Sequence, residues 1–340
     1  MNELTVIYNN PDPQAGGIPR YAHRIIEGFK NRDIEFREID FTDISSDNIV
    51  GKVANLAWRR KRHRQKNAHK LRGTNLFVQP ELYWPTQGTD IVTVHDLFMK
   101  EYQATGIYGR VRQKLYNIRF QRAIDNADHF IAVSTQTRDK LVEEGVDEDN
   151  ITVINLGVRE KFTLGKKYSE RDDKIGYLGD FRPRKRVGKL LADFDENREE
   201  MEDLELVIGG GGGDHEEELK EKYLGKEKIT FEGKIPEEDL VSWYKNLKAF
   251  VLPTELEGFG LPVLEATACG TPVFVYKDAA IPEEVKEYCY EIESVSEISK
   301  KIEEFSNDVI QARASGVQGE FDWRRTIEDT VETLGVGTKF

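Results

Sequence analysis

Glu257 and Glu265 stand eight positions apart in Thr254-Glu-Leu-Glu-Gly-Phe-Gly-Leu-Pro-Val-Leu-Glu-Ala266, and no other spacing in this chain carries as much chemistry. The apolar Phe250-Val-Leu-Pro253 before them reads as a short buried strand. Gly258 and Gly260 follow as a tight loop, and Pro262 suits the first turn of a helix that ends near Gly270. A strand, a glycine loop and a helix N-terminus leave backbone N–H groups and a positive dipole end free, a setting that suits phosphate. Phe259, Gly260 and Leu261 occupy that turn and are candidate ligand contacts. Glu257 falls on the loop and Glu265 in the first turns of the helix, so the two point at different parts of one ligand. A diphosphate with a hydroxyl-rich group on each side fits that layout.

Negative charge on a diphosphate must be met by a metal or by fixed cations. Arg182, Arg184, Lys185 and Arg186 follow a strand that ends at Gly179, where such a ligand would lie. Two Asp-x-Asp pairs, Asp193-Phe-Asp195 and Asp147-Glu-Asp149, raise the metal alternative. The first lies in a helical segment and the second in a polar turn, so both are read as solvent-facing. No His/Cys spacing suggests zinc, and no metal or other cofactor is expected. His95 follows Ile-Val-Thr-Val at a strand end, and Asp96 beside it either caps a helix or orients the loop. Gly16 and Gly17 precede Pro19 and a helix, where absent side chains let a ligand approach the backbone. The five glycines at 209–213 lack the Gly-Lys-Ser/Thr of a phosphate loop and read as a flexible loop near the nucleotide.

Those groups need elements to position them. Apolar runs place strands at 4–8, 76–78, 91–94, 130–133 and 151–154, then at 174–178, 204–208, 228–231, 249–252 and 273–276. Helical periodicity fills most of the intervals, at 19–30, 110–126, 137–144, 186–197, 236–246 and 296–305. Strands alternating with helices imply parallel sheets covered on both faces. A chain of 340 residues suits two such domains, and the polar stretch 159–173 reads as the connection. The expected architecture is α/β, two doubly wound Rossmann-like domains facing a central cleft, with ligand at the carboxyl ends of the strands. The boundaries are drawn at 1–160, a linker at 161–173, 174–318, and a helix over 319–340 that crosses back to the first domain.

The whole chain resembles the retaining glycosyltransferases of family 4, which have the GT-B fold. The segment from Glu257 through Gly-Phe-Gly-Leu-Pro-Val-Leu-Glu265-Ala-Thr-Ala-Cys-Gly-Thr-Pro-Val is similar to their nucleotide-sugar motif. Gly16-Gly-Ile-Pro-Arg-Tyr21, Val92-Thr-Val-His95-Asp96-Leu, Ala132-Val-Ser-Thr-Gln-Thr-Arg138, Val153-Ile-Asn-Leu-Gly-Val158, Tyr177-Leu-Gly-Asp-Phe-Arg-Pro-Arg184-Lys185 and Phe321-Asp-Trp323 follow in the family's order. The resemblance implies transfer of a hexose, mannose or glucose, from a GDP- or UDP-linked donor to a hydroxyl of a glycan or lipid-linked acceptor. It implies that Arg184 and Lys185 hold the phosphates, that His95 contacts the transferred sugar, and that no general base is needed. Many members carry Arg directly after the glycine where this chain has Asp180, which leaves Arg182 and Arg184 as alternatives for the guanidinium. Another enzyme of the same fold, such as a nucleotide-sugar epimerase, is the competing reading.

The composition, 38% hydrophobic and 33% charged, is that of a globular protein, with two cysteines and a net charge of −13. A reducing cytoplasm is the expected compartment, and no general nucleic-acid binding is expected. One segment departs from that balance. Residues 58–72 hold eight Lys or Arg and no acid, after an apolar face formed by Ile49, Val50, Val53, Leu56, Ala57 and Trp58. A nucleic-acid reading of this segment lacks interleaved aromatics. A peripheral contact with anionic headgroups at the inner membrane face fits better, each basic residue adding on the order of 1 kcal/mol. Sedimentation with anionic vesicles should therefore be strong at low salt and fall as screening sets in near 0.1 M. Neutralising Arg59, Arg60, Lys61 and Arg62 should weaken it, and equal sedimentation with neutral vesicles would remove the reading.

Overall fold

A computed structural model describes residues 3–12, 16–41, 71–101, 106–201, 203–213 and 215–336. The side chains of 99, 101 and 106–108 are not part of that description, and the basic segment lies outside it except for Leu71 and Arg72. The chain divides into two compact units, Met1–Asn155 with Trp323–Phe340, and Leu156–Asp322.

In the first unit six strands form one parallel sheet: β1 (Leu4–Tyr8), β2 (Phe36–Asp40), β3 (Thr74–Phe77), β4 (Thr89–Val94), β5 (His129–Ala132) and β6 (Ile151–Val153), in the order β2-β1-β3-β4-β5-β6. Every residue of β1 and β3 is buried. That is why neither shows the alternation of a half-exposed strand, and in β3 the buried Asn75 is held by hydrogen bonds to Thr86 Oγ1 and Asp90 Oδ1. Helices Gly17–Lys30, Gly106–Asn126 and Thr135–Glu143 flank the sheet, and Ser134 caps the last by accepting from the Thr137 N–H at 3.1 Å.

The second unit repeats the plan with β7 (Asp172–Gly179), β8 (Glu205–Gly210), β9 (Ile229–Gly233), β10 (Leu247–Leu252), β11 (Val273–Tyr276) and β12 (Cys289–Ile292), in the order β12-β11-β10-β7-β8-β9. All pairs are parallel. The order reverses between β7 and β10, and at such a switch point the loops at the carboxyl ends diverge and open a crevice. Ile175, Tyr177, Leu190, Phe194, Leu206, Val251 and Phe274 form the core around these strands.

Two expectations are corrected here, and two strands are added. The stretch 161–173 is no linker: Phe162, Tyr168 and Arg171 are buried in the second unit. Arg171 donates to the carbonyls of Leu247 (3.1 Å) and Cys269 (2.8 Å) and to Thr271 Oγ1 at 2.7 Å. Its polar composition hides a set of satisfied buried groups, and the unit boundaries fall at 155/156 and 322/323 instead. The edge strands β2 and β12 went unforeseen, because Phe-Arg-Glu-Ile-Asp and Cys-Tyr-Glu-Ile carry no apolar run. Asp193 does not face solvent. It accepts hydrogen bonds from Tyr276 Oη (2.7 Å), Ser294 Oγ (2.8 Å) and the Val295 N–H (2.9 Å), clamping helix Val187–Glu196 to the far side of the sheet. Asp147 caps a turn by accepting from the Asp149 N–H at 3.1 Å, as a polar turn requires.

The last helix, Trp323–Thr333, belongs to the first unit and packs on Gly17–Lys30. Gly28 makes room for it, because a Cβ there would stand 2.2 Å from Ile327 Cδ1. Replacing a mid-helix glycine by alanine ordinarily adds about 1 kcal/mol. Here overpacking of about 1–3 kcal/mol opposes that gain, so Gly28→Ala should lower stability in urea unfolding. In an Ile327→Ala background the same substitution should raise it, and equal effects in both backgrounds would show that the contact is not limiting.

Candidate functional site

The site residues of the second unit hang from three loops at the carboxyl edge of its sheet. The turn after β7 carries Arg182 to Arg186, with Arg186 in the left-handed region at φ 48° as it enters the next helix. The loop after β10 is stitched to that turn, since the Glu255 N–H donates to the Arg184 carbonyl at 2.8 Å. The loop after β11 completes the set: Ala280 N–H donates to Glu255 O at 2.8 Å, and Glu257 N–H to Ala280 O at 3.0 Å. Glu257 is thereby fixed, and only 7% of it is exposed. Lys185 Nζ pairs with its Oε1, and Arg184 Nη1 lies 3.8 Å from its Oε2. Both cations are themselves largely buried.

Arg184 and Lys185 thus set two fixed guanidinium and ammonium groups beside one buried carboxylate, where little water competes for an incoming anion. The other two arginines are engaged elsewhere. Arg182 is exposed and held by Asp180, Nε to Oδ2 at 2.8 Å, and Arg186 pairs with Asp278 at 2.8 Å. Asp180, the departure from the family pattern, is what occupies Arg182.

Gly260 stands at φ 105°, a conformation side chains rarely adopt, and opens helix Leu261–Ala268 with Pro262 in its first turn. The backbone N–H groups of Phe259, Gly260 and Leu261 donate to no group among the described residues. The Phe259 ring is packed edge-on against Phe321, centroids 5.8 Å apart, so its part in a site is played by its backbone. Glu265 lies within the helix, 4% exposed, and accepts from Arg159 Nη2 at 3.1 Å. Arg159 and its second partner Glu237 escaped the sequence reading. They are 106 and 28 residues from Glu265, and nothing local to Arg159 announces either contact. The glycine run is tied down, not flexible: Gly211 N–H donates to Gly179 O (3.1 Å), Phe181 N–H to Gly212 O (2.6 Å) and Gly212 N–H to Glu216. A Cβ on Gly210 or Gly213 would strike the backbone of the turn after β7, so glycine here buys close approach of two loops.

In the first unit, His95 follows β4 directly and is 9% exposed. Its Nε2–H donates to the Val78 carbonyl at 3.0 Å, which leaves Nδ1 as an acceptor. Burial pushes its pKa down to about 4, against the raising effect of that hydrogen bond. The imidazole is therefore neutral near pH 7, suited to accepting from a hydroxyl and a weak base. Tyr21 meets it edge-on at 4.7 Å between ring centroids, with its own hydroxyl 3.2 Å from Thr93 Oγ1. Tyr21 was quoted in the glycine-loop motif without a role, and it holds the histidine ring. Asp96 accepts from the Phe98 N–H at 3.1 Å, a capping contact. Gly16, at φ 125°, and Gly17 face open space, with nothing among the described residues within 4 Å of a Cβ on either.

Residues 159–319 match the family Glycosyl transferases group 1, and residues 87–162 match Glycosyltransferase Family 4. The chain belongs to the group 1 glycosyltransferases and has their GT-B fold. It is 25% identical over 233 residues to the serotype-specific mannosyltransferase WbdA of Escherichia coli, covering 61% of this chain but 29% of that protein. The chain thus spans under a third of that relative. It is 23% identical over 294 residues to the O-antigen chain mannosyltransferase B of Escherichia coli, covering 79% of this chain and 77% of the other. Among solved structures, HepE from Anabaena in complex with UDP and glucose superimposes with a TM-score of 0.70 at 14% identity, covering 99% of this chain and all of that one. In this glycosyltransferase no helix among the described residues is long and apolar enough to cross a membrane, and no group of three or more His, Cys, Asp or Glu among them is placed to hold a metal.

The buried His95 makes stability depend on pH. Protonation occurs near pH 6.5 in the unfolded chain and only near 4 in the folded one, so acid favours unfolding. The contribution is complete above about pH 6.5, drains as pH falls, and is gone below about 4, roughly 3 kcal/mol in all. Urea unfolding across that window should show the loss in the native protein and a flatter curve in His95→Gln; parallel curves would contradict it.

Proposed function

We propose that this glycosyltransferase moves a hexose from a nucleotide-diphosphate sugar to a hydroxyl of a glycan or lipid-linked acceptor, with retention of anomeric configuration and without a divalent metal. The observation that carries the reading is the pairing of Arg184 and Lys185 on the buried Glu257 at the switch point of the second sheet. As the glycosidic bond breaks, negative charge builds on the leaving diphosphate, and the fixed side chains of Arg184 and Lys185 stabilise it. Of the two candidate guanidiniums Arg184 is assigned to the phosphates, because Arg182 is exposed and engaged by Asp180. The N–H groups of Phe259, Gly260 and Leu261 add fixed dipoles at a helix N-terminus.

Glu257 contacts the sugar and its developing charge, and Glu265 accepts from the ribose hydroxyls of the nucleotide. His95 Nδ1 accepts from a hydroxyl of the transferred sugar, and Gly16 and Gly17 let donor or acceptor approach the backbone. The acceptor oxygen attacks the face from which the diphosphate departs. Its proton passes to the leaving phosphate oxygen, so the products are the glycoside and a protonated nucleoside diphosphate, which then gives that proton up to water. Mannose is the favoured sugar, supported by the mannosyltransferases among the relatives, and the nucleotide is GDP or UDP. Contact of residues 49–72 with an anionic inner membrane face is part of the same proposal, supported by their charge.

Lys185→Ala should lower kcat/KM by at least about tenfold, about 1.4 kcal/mol of transition-state stabilisation, while EDTA leaves the native rate unchanged. Loss of activity in EDTA with recovery in manganese would overturn the metal-independent mechanism.

A further inference from the structure

Glu265 is a carboxylate almost withdrawn from water, with its side chain 6% exposed. Such a group is costly to bury unless a cation meets it. The terminal torsion of a Glu side chain is also broad, so burial alone does not aim its oxygens. Arg159 answers both needs. Its guanidinium donates from Nη2 to Glu265 Oε1 at 3.1 Å and from Nη1 to Glu237, and its plane lies over the Phe162 ring at 4.7 Å. Glu237 is held in turn by Lys161, Nζ to Oε1 at 2.6 Å and Nζ to the Glu237 carbonyl at 2.9 Å. The backbone beside Arg159 is fixed as well, since the Val158 N–H donates to the Phe321 carbonyl at 2.8 Å.

The four charges alternate along one line, Lys161, Glu237, Arg159, Glu265, and cancel. In the cluster at Glu257 the arrangement differs, with two cations, Arg184 and Lys185, set against one carboxylate. A charge-balanced, immobilised carboxylate is suited to accept from neutral hydroxyls, and a pair of fixed cations to hold a diphosphate.

We propose that Arg159 is the positioning residue for Glu265, fixing the carboxylate in the orientation that receives the ribose hydroxyls of the donor nucleotide. The inference rests on the reading of Glu265 given above. The planar two-armed guanidinium is required, because an ammonium cannot engage both carboxylates in a fixed plane.

The test compares, by calorimetry on the full chain, the affinity for GDP and UDP with that for their 2′,3′-dideoxy analogues and for inorganic pyrophosphate. The native protein should prefer the ribonucleotide to its dideoxy analogue at least tenfold. Arg159→Lys should bring that preference to within about twofold, leave pyrophosphate affinity unchanged, and raise the donor KM more than it lowers kcat. Glu265→Gln should abolish the preference too. A preference kept in Arg159→Lys but lost in Glu265→Gln overturns the positioning role alone. One kept in both overturns the ribose assignment of Glu265 and this inference with it, as does failure to bind either nucleotide. If Arg159→Lys does not fold, Glu237→Gln, altered at a partly exposed residue, should shrink the preference partway; an unchanged preference there overturns the proposal.

Discussion

Burying ionised groups at the carboxyl edge of the second sheet is the constraint that the surrounding structure serves. Glu257 has lost nearly all contact with water, and the penalty for that is several kcal/mol unless its partners are accurately placed. Placement is what the three loops provide. They are hydrogen-bonded to one another through the Arg184 carbonyl, the Glu255 amide and the Ala280 backbone, so no one of them can shift without disturbing the others. The glycine run after β8 braces the same turn from the opposite side, through the bonds at Gly179 and Phe181. Parallel strands make this possible, because every one of them delivers its outgoing loop to a single edge.

His95 illustrates the opposite use of desolvation. Among the described residues no ion meets it; Tyr21 packs edge-on against its ring, which has one hydrogen bond to the Val78 carbonyl. Burial then keeps the imidazole uncharged, and the bond to the Val78 carbonyl selects its tautomer. One burial effect thus fixes an ion cluster in the second unit and a neutral acceptor in the first.

Much of this was legible in the chain. β1 and β11 lie where their apolar runs placed them, and the strands ending at Gly179 and Leu252 deliver Arg184, Lys185 and Glu257 as anticipated. Strands buried on both faces announce themselves, and glycine and proline mark where helices begin. The edge strands β2 and β12 did not, since their charged residues break the pattern, whereas the edges β6 and β9 lie where apolar runs placed them. Ion pairs across long separations left no trace either: Lys185 to Glu257 spans 72 positions, and Arg159 to Glu265 spans 106. The stretch from Arg159 to Asp173 misled for the same reason, since Arg171 looks like linker polarity until its three buried acceptors are seen.

The first unit is assembled from two stretches of chain separated by the whole of the second. Helix Gly17–Lys30 cannot be covered until Trp323, Thr326 and Ile327 have been made, and the Asn155 carbonyl waits for the Thr326 hydroxyl that donates to it at 2.8 Å. At ribosomal speeds of about 5–20 residues per second, that interval is on the order of ten seconds. A nascent chain therefore leaves the exit tunnel with its earlier half unfinished and an apolar face bare, while the later half already has all its parts. The unit translated second is therefore the first to have its whole sequence, and helix Gly17–Lys30 of the earlier one waits for Trp323 and Ile327 to cover it.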